Sequence, residues 1–297
     1  ARLPFKQAYE LANPEFNVRS IKHPSGYEMT LIDESHLIGG SKQRALIGYI
    51  ADIKQDELVY AGPSSGYAQI AIAYCALLSG KTARIFIDQT NINPLSEMAK
   101  SFGATIVPFS SQDSGSSRLK MIQKQAEIYV DRAGGRAFLL PFGMDHPDVK
   151  KLYASAFAPL RSYKPKRIWV VAGSGMIFST LSSIWPDAEF LVVQVGKTVW
   201  PDQLAGIKHQ LFVSPYAFSE RISETPPYNT LMNYDAKVWP FILTRAEAGD
   251  FVWNTAGEPI GSERMRDIVS RTEKLLSVAR NEEAHLISMA AEMTMPM

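Results

Sequence analysis

Residues 57–87 read ELVYAGPSSGYAQIAIAYCALLSGKTARIFI and alternate between apolar runs, turns and one helical pattern. The runs Glu57–Ala61 and Ala83–Ile87 predict strands, and Tyr67–Leu78, rich in Ala, Ile and Leu, predicts a buried helix between them. Neighbouring parallel strands need a crossover connection of this length, which is usually a helix. This stretch therefore predicts an α/β fold with parallel strands.

The same alternation extends to residue 195. Its further predicted strands are Thr105–Pro108, Ala137–Leu140, Arg167–Ala172 and Phe190–Val195, and its further predicted helices are Pro94–Phe102, Leu119–Arg132 and Val149–Leu160. Ser110–Ser117 is predicted to be a surface loop and Glu220–Asn229 an irregular segment. Apolar spacing over Ser262–Met293 predicts one long or two short C-terminal helices, docked on the body or on a second subunit.

The composition is that of an ordinary globular protein: 297 residues, 46% hydrophobic and 21% charged. The formal net charge of +1 gives no indication of a nucleic-acid partner. Cys75 is the only cysteine, so no intrachain disulfide can form, which fits a reducing compartment. No apolar run approaches the roughly 18 residues of a membrane span, and the N-terminal segment lacks the apolar core of a signal peptide. We therefore predict a cytoplasmic protein with no membrane partner.

Several familiar motifs fail on inspection. Gly80-Lys81-Thr82 and Gly196-Lys197-Thr198 match only the end of a phosphate-binding Walker A motif, whose first glycine is replaced here by Cys75 and Leu191. The five histidines are scattered without metal-ligand spacing, and no Gly-x-Ser-x-Gly nucleophile motif occurs. The sequence thus predicts no metal site and does not support a hydrolase with a serine triad.

Two features have both a chemical and a structural interpretation. Lys42 follows a glycine pair, in Gly39-Gly40-Ser41-Lys42, at the start of a predicted helix. A buried lysine with a lowered pKa forms Schiff bases, whereas a lysine at a helix start is commonly a solvated charge. The turn Gly173-Ser174-Gly175 follows a predicted strand, so its N–H groups either bind an anion or only form a strand-to-helix turn. The residues alone leave both pairs of alternatives open.

A family resemblance connects these features. Residues 39–46, GGSKQRAL, resemble the GGNKxRKL segment of 1-aminocyclopropane-1-carboxylate (ACC) deaminase and D-cysteine desulfhydrase, which are fold type II (tryptophan synthase β-like) enzymes that use pyridoxal 5′-phosphate (PLP). Residues 63–71 resemble the PTSGNTGIA loop of cysteine synthases. The other similar segments, in family order, are Phe102–Ala104, Leu140–Gly143, Gly173–Gly175, Tyr234–Lys237 and Phe251–Pro259. The resemblance covers roughly residues 30–260.

The resemblance implies an α/β architecture of two parallel-sheet domains, with PLP in the cleft between them, plus C-terminal helices. The larger domain would comprise residues 1–61 and 161–297, and the smaller domain residues 62–160. Members of this family usually form homodimers, which implies the same assembly here.

The resemblance also implies a role for each site residue. Lys42 would hold PLP as an internal aldimine and carry protons. The remaining residues are Ser64, Ser65 and Gly66 for the substrate carboxylate, Gly173, Ser174, Gly175 and Met176 for the PLP phosphate, and Tyr67 and Thr255 near the ring. The ring withdraws electrons from the substrate's α-carbon.

Departures from the family pattern indicate an unusual function. Tyr67 stands where the family has asparagine, Met176-Ile177 where it has Gly-Thr, and Asn254 and Ala256 where the deaminase branch has histidine and glycine. We predict a PLP-dependent lyase or transferase acting on an extended or tethered amino acid. The basic stretch Arg161–Arg167 suggests a nucleotide or nucleic-acid carrier, although such charges usually belong to a solvated linker. The alternative is a non-catalytic binding protein with a degraded cofactor site.

Overall fold

The computed structural model describes residues 2–89, 92–109 and 116–293, in which the chain forms ten strands and ten α-helices. The strands are β1 Val18–Lys22, β2 Glu28–Asp33, β3 Glu57–Gly62, β4 Thr82–Ile87, β5 Thr105–Pro108, β6 Ala137–Leu139, β7 Arg167–Ala172, β8 Glu189–Gln194, β9 His209–Val213 and β10 Phe251–Asn254. The helices are α1 Phe5–Ala12, α2 Lys42–Asp52, α3 Ala68–Leu78, α4 Pro94–Ser101, α5 Ser116–Arg132, α6 Pro147–Ala156, α7 Met176–Ile184, α8 Pro201–Leu204, α9 Trp239–Arg245 and α10 Ser262–Met293.

The strands form two sheets, which confirms the predicted α/β class. The six-stranded sheet has the order β1-β2-β10-β7-β8-β9, and only β1 runs antiparallel to its neighbour. The four-stranded sheet has the order β5-β4-β3-β6 and is entirely parallel. Central strands such as β7 are buried along almost their whole length, as parallel strands covered on both faces must be.

The predicted strands all exist, with ends within one residue of those expected. The helix predicted to end at Leu160 stops at Ala156 and continues as a 3₁₀ turn over Ala158–Ser162, because Pro159 lacks the N–H that an α-helix needs. α10 is one continuous helix, and Glu220–Asn229 contains neither helix nor strand. Of the predicted loop Ser110–Ser117, residues 110–115 lie outside the described residues, and the last two begin α5.

The division into two domains stays a prediction. The predicted boundary at residue 61 assigned Glu57–Ala61 to the larger domain, whereas the structure places β3 in the four-stranded sheet. β3 pairs with β4 from Glu57 to Gly62 and with β6 on its other side, so it is an inner strand of the four-stranded sheet. The turn at Gly62-Pro63 suggested a break, yet this turn only ends the strand. One apolar core includes side chains from both sheets, among them Leu58 of β3 and Trp253 of β10.

The α2 helix packs against α1, α3 and α6 and carries a buried ion pair. Arg44 donates to both carboxylate oxygens of Glu34, at 2.6 and 2.8 Å, and the two side chains are 1% and 0% exposed. The Arg44 guanidinium also donates to the Pro14 carbonyl and lies 3.8 Å from the centre of the Phe16 ring. The buried Cys75 thiol of α3 donates to the Gln43 carbonyl of α2 at 3.7 Å.

We expect Arg44→Met to lower the free energy of unfolding by about 3 to 5 kcal/mol, because it leaves the Glu34 carboxylate buried without its counter-charge. Urea unfolding measures this loss. The double variant Glu34→Leu/Arg44→Met should recover most of it. Arg84→Met is the matched control: it breaks the partly exposed Arg84–Glu57 pair, whose side chains are 27% and 22% exposed, and should cost about 1 kcal/mol or less. Equal losses for Arg44→Met and Arg84→Met would contradict this prediction.

Candidate active site

Gly39 and Gly40 allow the chain to pass between two other elements just before Lys42. A Cβ on Gly39 would lie 2.6 Å from the Ala71 Cα of α3. Gly40 has φ +61°, and a Cβ there would lie 2.6 Å from the Thr255 carbonyl oxygen. The Ser41 N–H then donates to that same carbonyl at 2.8 Å. The glycine pair noted in the sequence is therefore required by close backbone contacts, which fix the start of α2.

Lys42 is the first residue of α2, and its side chain is partly buried. Burial lowers the pKa of this amine, and the nearby carboxylate of Asp235 acts in the opposite direction. The side chain makes no hydrogen bond within the described residues. A buried amine with a lowered pKa and no hydrogen-bond partner has the properties of a nucleophilic lysine.

Asp235 is the residue that the sequence analysis missed. It is 1% exposed, and burial raises its pKa to about 7. Its Oδ1 accepts a hydrogen bond from the Thr255 N–H at 3.1 Å, whereas its Oδ2 has no partner in the described structure. The sequence analysis singled out Tyr234–Lys237 only because the segment resembles the family. An acidic residue within that segment was the one feature that could have identified Asp235 as a site residue.

Asn233, Tyr234 and Asp235 together bring the predicted site segments into one place. The Asn233 side-chain amide donates to the Ser65 carbonyl at 3.2 Å. The Tyr234 hydroxyl lies so near Gly173 that a Cβ on this glycine would be 2.9 Å from the hydroxyl oxygen. Because Asp235 contacts Thr255 and faces Lys42, three consecutive residues join four segments that are far apart in the sequence.

The loop after β3 holds Ser64, Ser65 and Gly66. The Gly66 N–H donates to the Pro63 carbonyl at 2.9 Å, which closes a tight turn. The Ser64 N–H donates to Asp88 at 2.7 Å, and its carbonyl accepts hydrogen bonds from Asn93 and Gln69. Neither serine hydroxyl has a partner within the described ranges. The loop is thus fixed by its backbone while two hydroxyl groups stay available.

The turn Gly173–Gly175 joins β7 to α7. Gly175 has φ +82°, and α7 begins at Met176 directly after it. The Met176 side chain is 6% exposed and belongs to the main apolar core, and its backbone N–H donates to the Ser174 Oγ at 3.5 Å. Met176 therefore replaces the family glycine as a side chain that packs in the core. Ser174 lies beside Gly143, at the carboxyl end of the four-stranded sheet.

Tyr67 and the residues around Thr255 border the same region. The Tyr67 ring packs against the main core, and burial together with the charge of Glu258 raises the pKa of its hydroxyl. Thr255 is 9% exposed and provides backbone groups to both Ser41 and Asp235. Asn254 is a structural residue, because its amide donates to Asp33 at 2.9 Å and to the Asn229 carbonyl at 2.7 Å.

Lys237 is a second buried lysine with a lowered pKa, about 8. Its ammonium donates to the carbonyls of Ala217 and Phe218, at 2.6 and 3.2 Å. These bonds tie the irregular segment after β9 to the body, so Lys237 has a structural role. Elsewhere in the described ranges, no group of three His, Cys, Asp or Glu side chains is arranged to bind a metal ion. None of the described helices is long and apolar enough to span a membrane.

Solved structures with the same fold are numerous, although no protein-family model and no curated protein matches the chain. An ACC deaminase homologue is 16% identical, with a TM-score of 0.69 over 89% of this chain and 95% of that chain. Diaminopropionate ammonia lyase from Escherichia coli is 10% identical, with a TM-score of 0.59 over 89% and 90%. O-acetylserine dependent cystathionine beta-synthase from Helicobacter pylori is 12% identical, with a TM-score of 0.62 over 84% and 94%.

These likenesses confirm the fold type II, tryptophan synthase β-like fold that the sequence resemblance predicted. At these identities the likeness concerns the fold. Within that fold, the loops that follow β2, β3, β7 and β10 carry Lys42, Ser64–Tyr67, Gly173–Gly175 and Thr255. The carboxyl ends of parallel strands are where α/β sheets place their ligands.

We expect the stability of the wild-type protein, relative to Asp235→Asn, to fall as pH rises from 5 to 8. The pKa of Asp235 is about 7 when folded and 3.8 ordinarily, so the folded state holds a proton that the unfolded state has lost. The free-energy gap in favour of the asparagine variant should grow by roughly 2 to 3 kcal/mol across this range. Urea unfolding of the cofactor-free protein at both pH values measures this gap.

Asp33→Asn is the matched control. Burial raises the pKa of Asp33, but hydrogen bonds from Ser35, Asn254 and Arg19 lower it below its ordinary value overall. The Asp33 carboxylate is therefore ionised in both states between pH 5 and 8, and the stability gap of Asp33→Asn should stay constant there. A constant gap for Asp235→Asn as well would show that Asp235 is ionised in the folded protein at pH 5.

Proposed function

We propose that this protein is a PLP-dependent enzyme acting on an amino acid, a lyase or a transferase, with the cofactor attached to Lys42. The observation that carries the proposal is the pair at the start of α2: a partly buried, unbonded lysine beside a buried acid with one free oxygen. The fold supports it, since similar solved structures include an ammonia lyase and a threonine deaminase.

The residues present fit PLP at three points. The Lys42 amine is buried, which favours its neutral, nucleophilic form. The Asp235 Oδ2, which is buried next to Thr255 and has no hydrogen-bond partner in the described structure, is the acceptor that would pair with a pyridine nitrogen. The start of α7 presents backbone N–H groups and a positive dipole end to a phosphate, after a turn in which Gly175 adopts the left-handed φ of +82° that favours glycine.

When bound, PLP supplies an electron-withdrawing ring that stabilises negative charge at the substrate Cα. The chain's own residues would bind the substrate and orient it. The hydroxyls of Ser64 and Ser65 are free to hold the substrate carboxylate, and Asn233 fixes their loop beside Asp235. The Lys42 amine would act as the base for a proton at Cα, because its lowered pKa leaves more of it unprotonated at neutral pH.

The proposed substrate is an amino acid with an extended or tethered side chain. Support comes from Tyr67, which stands in the substrate loop where a small polar residue is usual in the resembling family. Its ring packs on the core and the charge of Glu258 acts on its hydroxyl, so a side chain larger than asparagine stands two residues from Ser65. A carrier such as a nucleotide has less support: in the basic stretch 161–167, Arg167 pairs with Glu247 and Asp250, and the other charges are exposed.

The proposed assembly is a cytoplasmic homodimer. Support comes from α10, whose residues 280–287 are all exposed and include Leu286 and Ile287, each about two-thirds exposed. Exposed apolar side chains on a helix are typical of protein–protein contacts. Light scattering of the full chain, compared with a Leu286→Glu/Ile287→Glu variant, tests whether this end of α10 contributes to a dimer.

We expect the purified protein incubated with PLP to show a near-visible absorption band, and Lys42→Ala to lose it with an unchanged far-ultraviolet circular dichroism spectrum. Lys42 Nζ is the buried amine that no hydrogen bond occupies. Borohydride reduction followed by peptide mapping should place the cofactor on the peptide containing Lys42. Lys197→Ala, which removes an exposed lysine, is the control and should keep the band. Trapped cofactor at Lys237, or no band in the wild-type protein, would refute the proposal, and the latter would favour a non-catalytic binding protein.

We expect free cysteine, O-acetylserine and ACC to be turned over slowly, if at all, because Tyr67, which is larger than the family's asparagine, would narrow the substrate space. Tyr67→Asn should raise turnover of at least one of them by about tenfold or more. Steady-state assays decide the matter. Turnover by the wild-type protein near the roughly 10 per second typical of enzymes would show that Tyr67 does not exclude these substrates.

A further inference from the structure

The loop after β8 places an amide side chain against the Gly173–Gly175 turn. A Cβ on Gly175 would lie 2.9 Å from the Gln203 Nε2, so this amide rests directly on the glycine that precedes α7. Gln203 belongs to α8, and its side chain is half-buried. The loop that carries it follows the strand next to β7, so both loops leave the same edge of the six-stranded sheet.

The orientation of this amide is fixed by a second contact. The Trp200 N–H donates to the Gln203 Oε1 at 2.9 Å. Because the oxygen accepts this bond, the NH₂ group is directed away from Trp200. Within the described residues the Gln203 Nε2 has no hydrogen-bond acceptor. It is also not one of the polar atoms that are both buried from solvent and unpaired. Gln203 therefore presents a pre-oriented, unused donor beside the first N–H groups of α7.

We propose that Gln203 is a phosphate-binding residue, whose Nε2 donates to the PLP phosphate held at the start of α7. This inference rests on the proposed function. The resembling family has a threonine hydroxyl in its phosphate loop, and this chain has Ile177 at that position. The amide of Gln203 supplies a donor from a neighbouring loop, while Met176 and Ile177 are left to pack as apolar side chains.

Titrations with PLP and with pyridoxal, which lacks the phosphate, test this assignment. Gln203→Glu keeps an oxygen for the Trp200 N–H but replaces the donor by a negative charge. We expect it to raise the Kd for PLP by about 100-fold, while the Kd for pyridoxal changes less than about threefold. Gln203→Met, which removes the donor without adding charge, should raise the Kd for PLP by about tenfold. Absorption spectra and equilibrium dialysis both give these constants.

Gln125→Glu is the matched control, since Gln125 is exposed on α5 and the same charge is added away from the site. It should change neither constant. Thermal unfolding of each cofactor-free variant checks that the fold is kept. If Gln203→Glu weakens PLP and pyridoxal equally, or weakens neither, the assignment is wrong although the enzyme uses PLP. If the wild-type protein binds neither compound, the proposed function fails and this inference fails with it.

Discussion

The close approach of Gly39 and Gly40 to two other elements is the constraint on which the site depends. Gly39 touches α3, and Gly40 touches the backbone that follows β10. Since β10 belongs to the six-stranded sheet and α3 follows a strand of the four-stranded sheet, this contact sets how the two sheets meet. The start of α2, and Lys42 with it, is placed where both sheets end.

Two buried acids in this region, Glu34 and Asp235, differ in how well their charges are satisfied. The buried Glu34–Arg44 pair is satisfied, because both carboxylate oxygens and all three guanidinium nitrogens have hydrogen-bond partners. Asp235 is different, since one of its oxygens is unpaired and its pKa is raised to about 7. An unsatisfied buried carboxylate is costly, and such costs are tolerated at sites that bind a ligand. The two acids therefore differ as a satisfied and an unsatisfied buried charge.

Much of this fold is readable from the sequence, because its inner strands are apolar on both faces and stand out as short runs. Four strands were not predicted. β1 and β9 are largely exposed edge strands, whereas β2 and β10 are inner strands whose runs, EMTLID and FVWN, are interrupted by polar residues or very short. The segments of the site were found through resemblance. Asp235 and Gln203 were not, because their roles depend on burial and on a neighbouring loop, neither of which leaves a local pattern. The position of β3 likewise depends on pairing partners that are distant in the sequence.

The single thiol lies in the contact that positions Lys42. Cys75 is fully buried, its Sγ donates to the carbonyl of Gln43, and burial raises its pKa, so the closed protein keeps it protonated and unreactive. A thiol reagent can reach it only when α2 and α3 separate. The rate at which a reagent labels the Cys75 thiol therefore reports how often the contact between α2 and α3 opens. Ligands that hold the start of α2 in place will slow that rate.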